Sequence, residues 1–112
     1  MNSIELPNGI RYKIKHDLYQ KNRGVPHILL IQCGNCHHDL MVYQKDGPGP
    51  LKRCYLDRIA WIFNTHLDLQ QQPLTCPQCK TTIATPMIYQ KENRPAIRMI
   101  KGKFTKQKYN PK

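Results

Sequence analysis

Acidic residues, long apolar runs and aromatic side chains are all scarce in this chain. Seven Asp and Glu face eighteen Lys and Arg in 112 residues, a formal charge of +11. That surplus cannot help a core, because like charges repel, but it draws polyanions such as nucleic acid or an anionic membrane surface. The longest apolar run, Ile28-Leu29-Leu30-Ile31, is far below the roughly 18 residues of a membrane-spanning helix. The opening MNSIELPNGIRYKIK lacks the charged-then-apolar layout of a secretion signal, so the expected compartment is the cytoplasm. With 39% hydrophobic residues, a one-domain chain of this length buries too little core for a large catalytic cleft. No Gly-rich phosphate loop, nucleophile elbow or paired-carboxylate arrangement occurs either. The expectation is a non-enzymatic protein.

Positive charge gathers at the two ends. Residues 1–24 set Arg11, Lys13, Lys15, Lys21 and Arg23 against Glu5 and Asp17, a surplus of three. Residues 25–90 are nearly balanced, with Lys45, Lys52, Arg53, Arg58 and Lys80 against Asp39, Asp46, Asp57 and Asp68. Residues 91–112 set Lys91, Arg94, Arg98, Lys101, Lys103, Lys106, Lys108 and Lys112 against Glu92, a surplus of seven. Three parts follow: a basic segment 1–24, a domain over 25–104, and a basic, disordered tail over 105–112. Phe104 and Tyr109 lie among the tail lysines, where rings stack on bases while cations neutralise phosphates.

Nine Pro and six Gly favour turns over long helices. Tyr12, Ile14 and His16 alternate with Lys13 and Lys15, which suits a short strand. HILLIQ (27–32) and LMVYQK (40–45) read as strands, and Asp46-Gly47-Pro48-Gly49-Pro50 is the strongest turn signal in the chain. Leu56, Ile59, Ala60 and Phe63 fall at i, i+3, i+4 and i+7, so the spacing predicts a short helix at about 51–64. The polar residues 64–73, including His66, read as an exposed connection. Thr81–Tyr89 is β-branched but interrupted by Pro86, which assigns it to an edge or a bulge. Ala96–Phe104 completes the set as a last strand. The segment YQKDGPGPLKRCYLDRI, Tyr43 to Ile59, has the look of a signature of a narrower family.

Five cysteines carry the strongest chemical signal. Cys33-Gly34-Asn35-Cys36 and Cys76-Pro77-Gln78-Cys79 form two CxxC pairs with 39 residues between them. Two residues between ligands let a tight turn aim both sulfurs at one ion, and two such turns complete a tetrahedron of thiolates. An odd cysteine count without a secretion signal argues against disulfides. Thiol redox chemistry needs a helix after the first cysteine to lower its pKa, and KTTIATP after Cys79 is a poor helix. A closed set of four thiolates leaves no open position for catalysis. Cys54 is left over and suits a small buried site. His37 and His38 directly follow the first pair, as exposed polar residues, substitute ligands or hydrogen-bond donors to a sulfur.

CGNC and CPQC, each between β-rich segments, resemble the zinc-ribbon proteins over roughly residues 27–90. The resemblance implies a small α+β, mainly β fold: two knuckle-tipped β-hairpins clamped by one structural Zn2+ on Cys33, Cys36, Cys76 and Cys79, with the short helix in the insert. Zinc ribbons often have Gly after the second Cys of a knuckle, where this chain has His37 and Lys80. Rubredoxins resemble the knuckle with iron, but they are acidic and compact, so zinc is the expected metal. Family members serve in nucleic-acid processes and as protein adaptors, so the class does not fix one function. With the charge, the resemblance points to nucleic acid, DNA or RNA, or a nucleoprotein complex. The expected contacts are Arg94, Arg98, Lys101, Lys103, Lys106 and Lys108, joined by Lys13, Lys15, Lys52 and Arg53. The alternative is a protein–protein adaptor presenting Trp61, Tyr43, Tyr55 and Tyr89; a thiol oxidoreductase is the third reading.

Overall fold

The computed structural model describes residues 2–63 and 67–111. Strands β1 (Ser3–Glu5) and β2 (Arg11–Lys13) form a small hairpin, followed by a short helix α1 (Leu18–Arg23). Then come β3 (Pro26–Cys33), β4 (Asp39–Asp46), β5 (Arg53–Tyr55), a 3-10 turn (Leu56–Arg58) and β6 (Ile59–Ile62). The chain ends with β7 (Leu74–Thr75), β8 (Thr82–Tyr89), β9 (Arg94–Met99) and β10 (Phe104–Lys108). Two four-stranded antiparallel sheets result, ordered β10-β3-β4-β6 and β5-β9-β8-β7.

Strand alternation builds the layers. Ile31, Met41 and Tyr43 turn one face of the first sheet onto Cys54, Ile83, Ala84, Ile97 and Met99 of the second. Val42, on the opposite face, packs under Ile4, Leu6 and Ile14 of the N-terminal segment, with Ile28, Leu30 and Trp61 alongside. The first sheet is thus the middle of three layers, buried on both sides, and its strands lose the clean apolar–polar alternation of a one-sided sheet. Gln44, fully buried on β4, fastens the N-terminal layer. Its Oε1 accepts from the Tyr12 hydroxyl and the Lys15 amide, and its Nε2 donates to the Lys15 carbonyl and Asp46 Oδ1. Every hydrogen-bonding position of that amide is filled.

Both expected hairpins are present: β3–β4 turns at Cys33–Cys36 and β7–β8 turns at Cys76–Cys79. Other expectations need correction. The insert carries no α-helix over 51–63: it is β5, the 3-10 turn and β6, with Met41 facing Ile62, Val42 facing Trp61 and Tyr43 facing Ile59. The stripe of Leu56, Ile59, Ala60 and Phe63 misled because β6 is covered on both sides. Ile59 and Ile62 pack on the core between the sheets, while Ala60, Trp61 and Phe63 face the N-terminal layer. Residue 64, the end of the expected helix, and residues 64–66 of the connection, with His66, lie outside the described residues.

The expected last strand is two strands, β9 and β10, separated by a turn at Ile100–Lys103. The expected disordered tail is strand as far as Lys108, paired along β3 from Phe104↔Cys33 to Lys108↔Leu29. An unpaired β3 edge and a half-buried Phe104 anchor outweigh the mutual repulsion of the lysines. Pro86 lies inside a central strand, yet β7 pairs β8 only at residues 82 and 84. At Pro86 only β9 is alongside, so the missing N–H faces an edge and costs no ladder bond. The N-terminal segment 1–24 includes α1, whose Asp17 N-cap accepts from the Gln20 amide at 3.1 Å.

Candidate metal centre

The two CxxC turns have the same backbone. In the first, the His37 amide donates to the Cys33 carbonyl and the Cys33 amide to the His38 carbonyl, both at 2.9 Å. In the second, the Lys80 amide donates to the Cys76 carbonyl and the Cys76 amide to the Thr81 carbonyl, again at 2.9 Å. The residue after each second cysteine is left-handed, with φ 65° at His37 and 67° at Lys80. These are the places where glycine is usual, because a Cβ there is strained. The turn closes with that conformation whatever the side chain.

The turns bring four sulfurs together. Cys33 Sγ lies 3.6 Å from Cys79 Sγ and Cys36 Sγ lies 3.5 Å from Cys76 Sγ. All four ligand atoms lie within 4.8 Å of one another. Four thiolates around one tetrahedral ion, with bonds of about 2.3 Å, stand about 3.8 Å apart, whereas disulfide sulfurs lie about 2.05 Å apart. Cys33 and Cys76 are fully buried, while Cys36 and Cys79 are half-buried.

Electrostatics fit the same reading. The Asn35 side chain and the Thr81 hydroxyl and amide lower the Cys79 thiol to about 5, with Thr81 Oγ1 at 3.2 Å. The Cys36 thiol is favoured as thiolate by the His38 amide, but desolvation and the sulfurs of Cys76, Cys79 and Cys33 push it up to about 12. Four thiolates packed this closely repel one another unless a cation lies between them. The donor set, its separations and its two matched turns suit a metal ion.

His38 Nδ1 lies 3.3 Å from Gln78 Oε1 and so links the two turns, while His37 is exposed. Asn35, in the spacer of the first CxxC pair, and Thr81, two residues after Cys79, carry no spacing rule that marks them as site residues; both approach Cys79 only in the fold. Cys54 is fully buried, opposite Ile97 on β9, and burial raises its thiol well above the ordinary value. The second CxxC pair leads into strand β8 and not into a helix of the kind that activates a redox cysteine.

The expected nucleic-acid contacts separate into two groups. Lys13, Lys15, Lys52, Arg98, Lys101, Lys103, Lys106 and Lys108 are exposed, and Arg53 is half-buried over the Tyr89 ring at 4.2 Å. Arg94 is a correction. It is 5% exposed, between the rings of Tyr19 and Tyr55, and pairs with Asp57 at 2.7 Å and Glu92 at 2.9 Å. Phe104 is packed on the core and Tyr109 is half-buried, donating to the Glu5 carbonyl. Neither ring stands free for base stacking. Of the four aromatics expected to form an adaptor patch, Tyr43 and Tyr55 are buried. The Tyr43 hydroxyl accepts from the Tyr55 amide.

A second polar cluster was missed. Arg58 is 1% exposed and pairs with Asp17 at 2.5 Å and Asp46 at 2.9 Å. The neighbouring Asp57 makes only a 3.9 Å contact with Arg58, because Asp57 turns to Arg94. Arg23 joins Glu92 at 2.6 Å and lies over Tyr55. Four of the seven acids are thereby engaged by three arginines, which leaves fifteen cationic residues against three acids elsewhere in the chain.

Compared with protein-family models, curated proteins and solved structures, the chain matches none.

Proposed function

We propose that this chain is a cytoplasmic zinc-ribbon module without catalytic activity, in which one structural Zn2+ holds a basic strand in place against nucleic acid. The observation that carries the reading is the register between the first CxxC turn and β10. Phe104 lies opposite Cys33, and the Gly34 amide donates to the Lys103 carbonyl at 2.9 Å. Lys101, Lys103, Lys106 and Lys108, all exposed, are thereby aligned by the metal turn itself. Metal binding supplies folding free energy that a small core lacks, and the same turn fixes the cations that neutralise phosphates.

Arg94 has no part in this surface. The contacts are Lys101, Lys103, Lys106, Lys108 and Arg98, with Lys13, Lys15, Lys52 and Arg53 contributing from the flanks. Recognition through lysines is insensitive to base sequence and strongly weakened by salt. Two measurements test the reading. Elemental analysis of protein purified without added metal should give one zinc per chain; metal-free folded protein overturns the metal assignment. Gel-shift titrations with a duplex oligonucleotide should give log affinity falling with log salt by about 0.9 per phosphate neutralised. Changing Lys101, Lys103 and Lys106 together to Gln should make that slope shallower by about two to three. An unchanged slope removes β10 from the interface, and no binding at low salt overturns the nucleic-acid reading.

A further inference from the structure

The segment Tyr43–Ile59, dense in turn and basic residues, folds around a cleft of about 340 Å³ lined by Arg23, Lys45, Lys52, Arg53, Pro48 and Pro50, among others. We propose that this cleft is a seat for a phosphate group, with Lys52 and Arg53 as its principal ligands and Lys45 as a supporting cation. The proposal goes beyond nucleic-acid contact along β10, since the seat takes a phosphate whether a strand or a small molecule carries it.

The cleft is preformed. Gly47 has φ +85°, and a Cβ there would lie 2.1 Å from the Arg23 carbonyl oxygen, so only glycine lets the turn close against α1. The Gly47 amide donates to the Val25 carbonyl at 2.9 Å, and Pro48 and Pro50 stiffen the wall.

The charge inside is unbalanced. The one carboxylate in the lining, Asp46, is turned away to Arg58 Nε and Gln44 Nε2. Arg23 is matched by Glu92. Lys45, Lys52 and Arg53 pair with no carboxylate among the described residues. Arg53 also lies directly opposite Arg98 across the β5–β9 ladder, a like-charge pair that destabilises a sheet. Desolvation and the charge of Lys106 lower the pKa of Lys45, against the charge of Asp46. A bound anion offsets the charge that Lys45, Lys52 and Arg53 bring to the cleft.

Shape and chemistry narrow the ligand. The volume is at the lower end for small-molecule sites. The lining rings of Tyr43 and Tyr55 are buried and already engaged, so no ring is offered to a base. Stacking of Arg53 on Tyr89 keeps the guanidinium planar face covered and its in-plane donors available for two phosphate oxygens.

Calorimetric titration of the full zinc-loaded chain with inorganic pyrophosphate, at constant ionic strength, tests the seat. One saturable site is expected. Lys52→Gln should weaken it about fivefold and Arg53→Lys, which keeps the charge but removes the fork, about tenfold. Lys91→Gln, exposed in the β8–β9 turn and outside both the cleft lining and the β10 surface, should stay within about twofold. Absence of saturable binding, or losses no greater than for Lys91→Gln, overturns the seat. Lys52 is exposed, so its variant remains informative if Arg53→Lys fails to fold. A competing oligonucleotide identifies the source: displacement of pyrophosphate assigns the seat to a strand phosphate, and simultaneous binding of both assigns it to a small phosphorylated molecule. If pyrophosphate binds and no oligonucleotide does, the seat stands and the nucleic-acid reading falls.

Discussion

Arg58 is the largest side chain with almost no solvent exposure among the described residues, and it ties α1 to β4 through Asp17 and Asp46. Its partners stand 41 and 12 residues away, and Asp57 stands 37 residues from Arg94. Nothing local in the sequence signals such pairings, which is why Arg94 resembled a free surface cation. Removing Arg58 strands the Asp46 carboxylate, 5% exposed, in the interior. Arg58→Ala should therefore cost about 3–5 kcal/mol in urea unfolding, whereas an exposed lysine such as Lys101→Ala should cost well under about 1 kcal/mol. The two left-handed residues offer the opposite case. His37→Gly and Lys80→Gly should each leave metal content unchanged and raise the unfolding midpoint, by an amount worth up to about 1 kcal/mol.

At the scale of elements, the CxxC hairpins were legible and the insert was not. Two residues between cysteines permit only a few tight turns, so Cys33–Cys36 and Cys76–Cys79 announced both their geometry and their flanking strands. Leu56, Ile59, Ala60 and Phe63 announced a helix because helical spacing and a strand covered on both faces select similar apolar patterns. The order of β10 was equally hidden, since its lysines are exposed and its binding energy comes from the backbone ladder on β3. That ladder depends on Gly34. A Cβ at this position would approach the Lys103 carbonyl carbon and the Phe104 nitrogen at 3.0 Å. Gly34→Ala should push β10 away, and hydrogen exchange at residues 105–108 should accelerate more than in the β8–β9 hairpin. Equal change in both would place the defect in the metal turn instead.

The whole molecule is governed by charges that act over different pH ranges. Arg58 and Arg94 with Arg23 hold the Asp17 and Glu92 carboxyls below their ordinary values, against the desolvation that raises them. A depressed carboxyl stabilises the fold above its ordinary titration range and loses that contribution as pH falls through the folded value. The contribution of these two carboxyls should therefore be level from neutral pH to about 5 and be lost below about pH 4, in addition to the proton competition that weakens thiolate–metal binding as pH falls. Glu92→Gln should be less stable at neutral pH and show a shallower acid drop; an equally steep drop assigns the acid sensitivity elsewhere.

The sulfur quartet and the arginine cluster sit at opposite ends of the same strands. β4 begins beside the first CxxC turn and ends at Asp46, and β8 begins beside the second and ends at Tyr89, near Arg94 and Glu92. Eight residues each, these strands run roughly 25 Å. The sheets are consequently stapled twice, like a pamphlet at head and foot. A chelator undoes one staple only, and the molecule should gape from the cysteine end while the far margin stays shut. Amide exchange along β4 would then grade from fast at Leu40 to slow at Lys45 rather than rising everywhere at once.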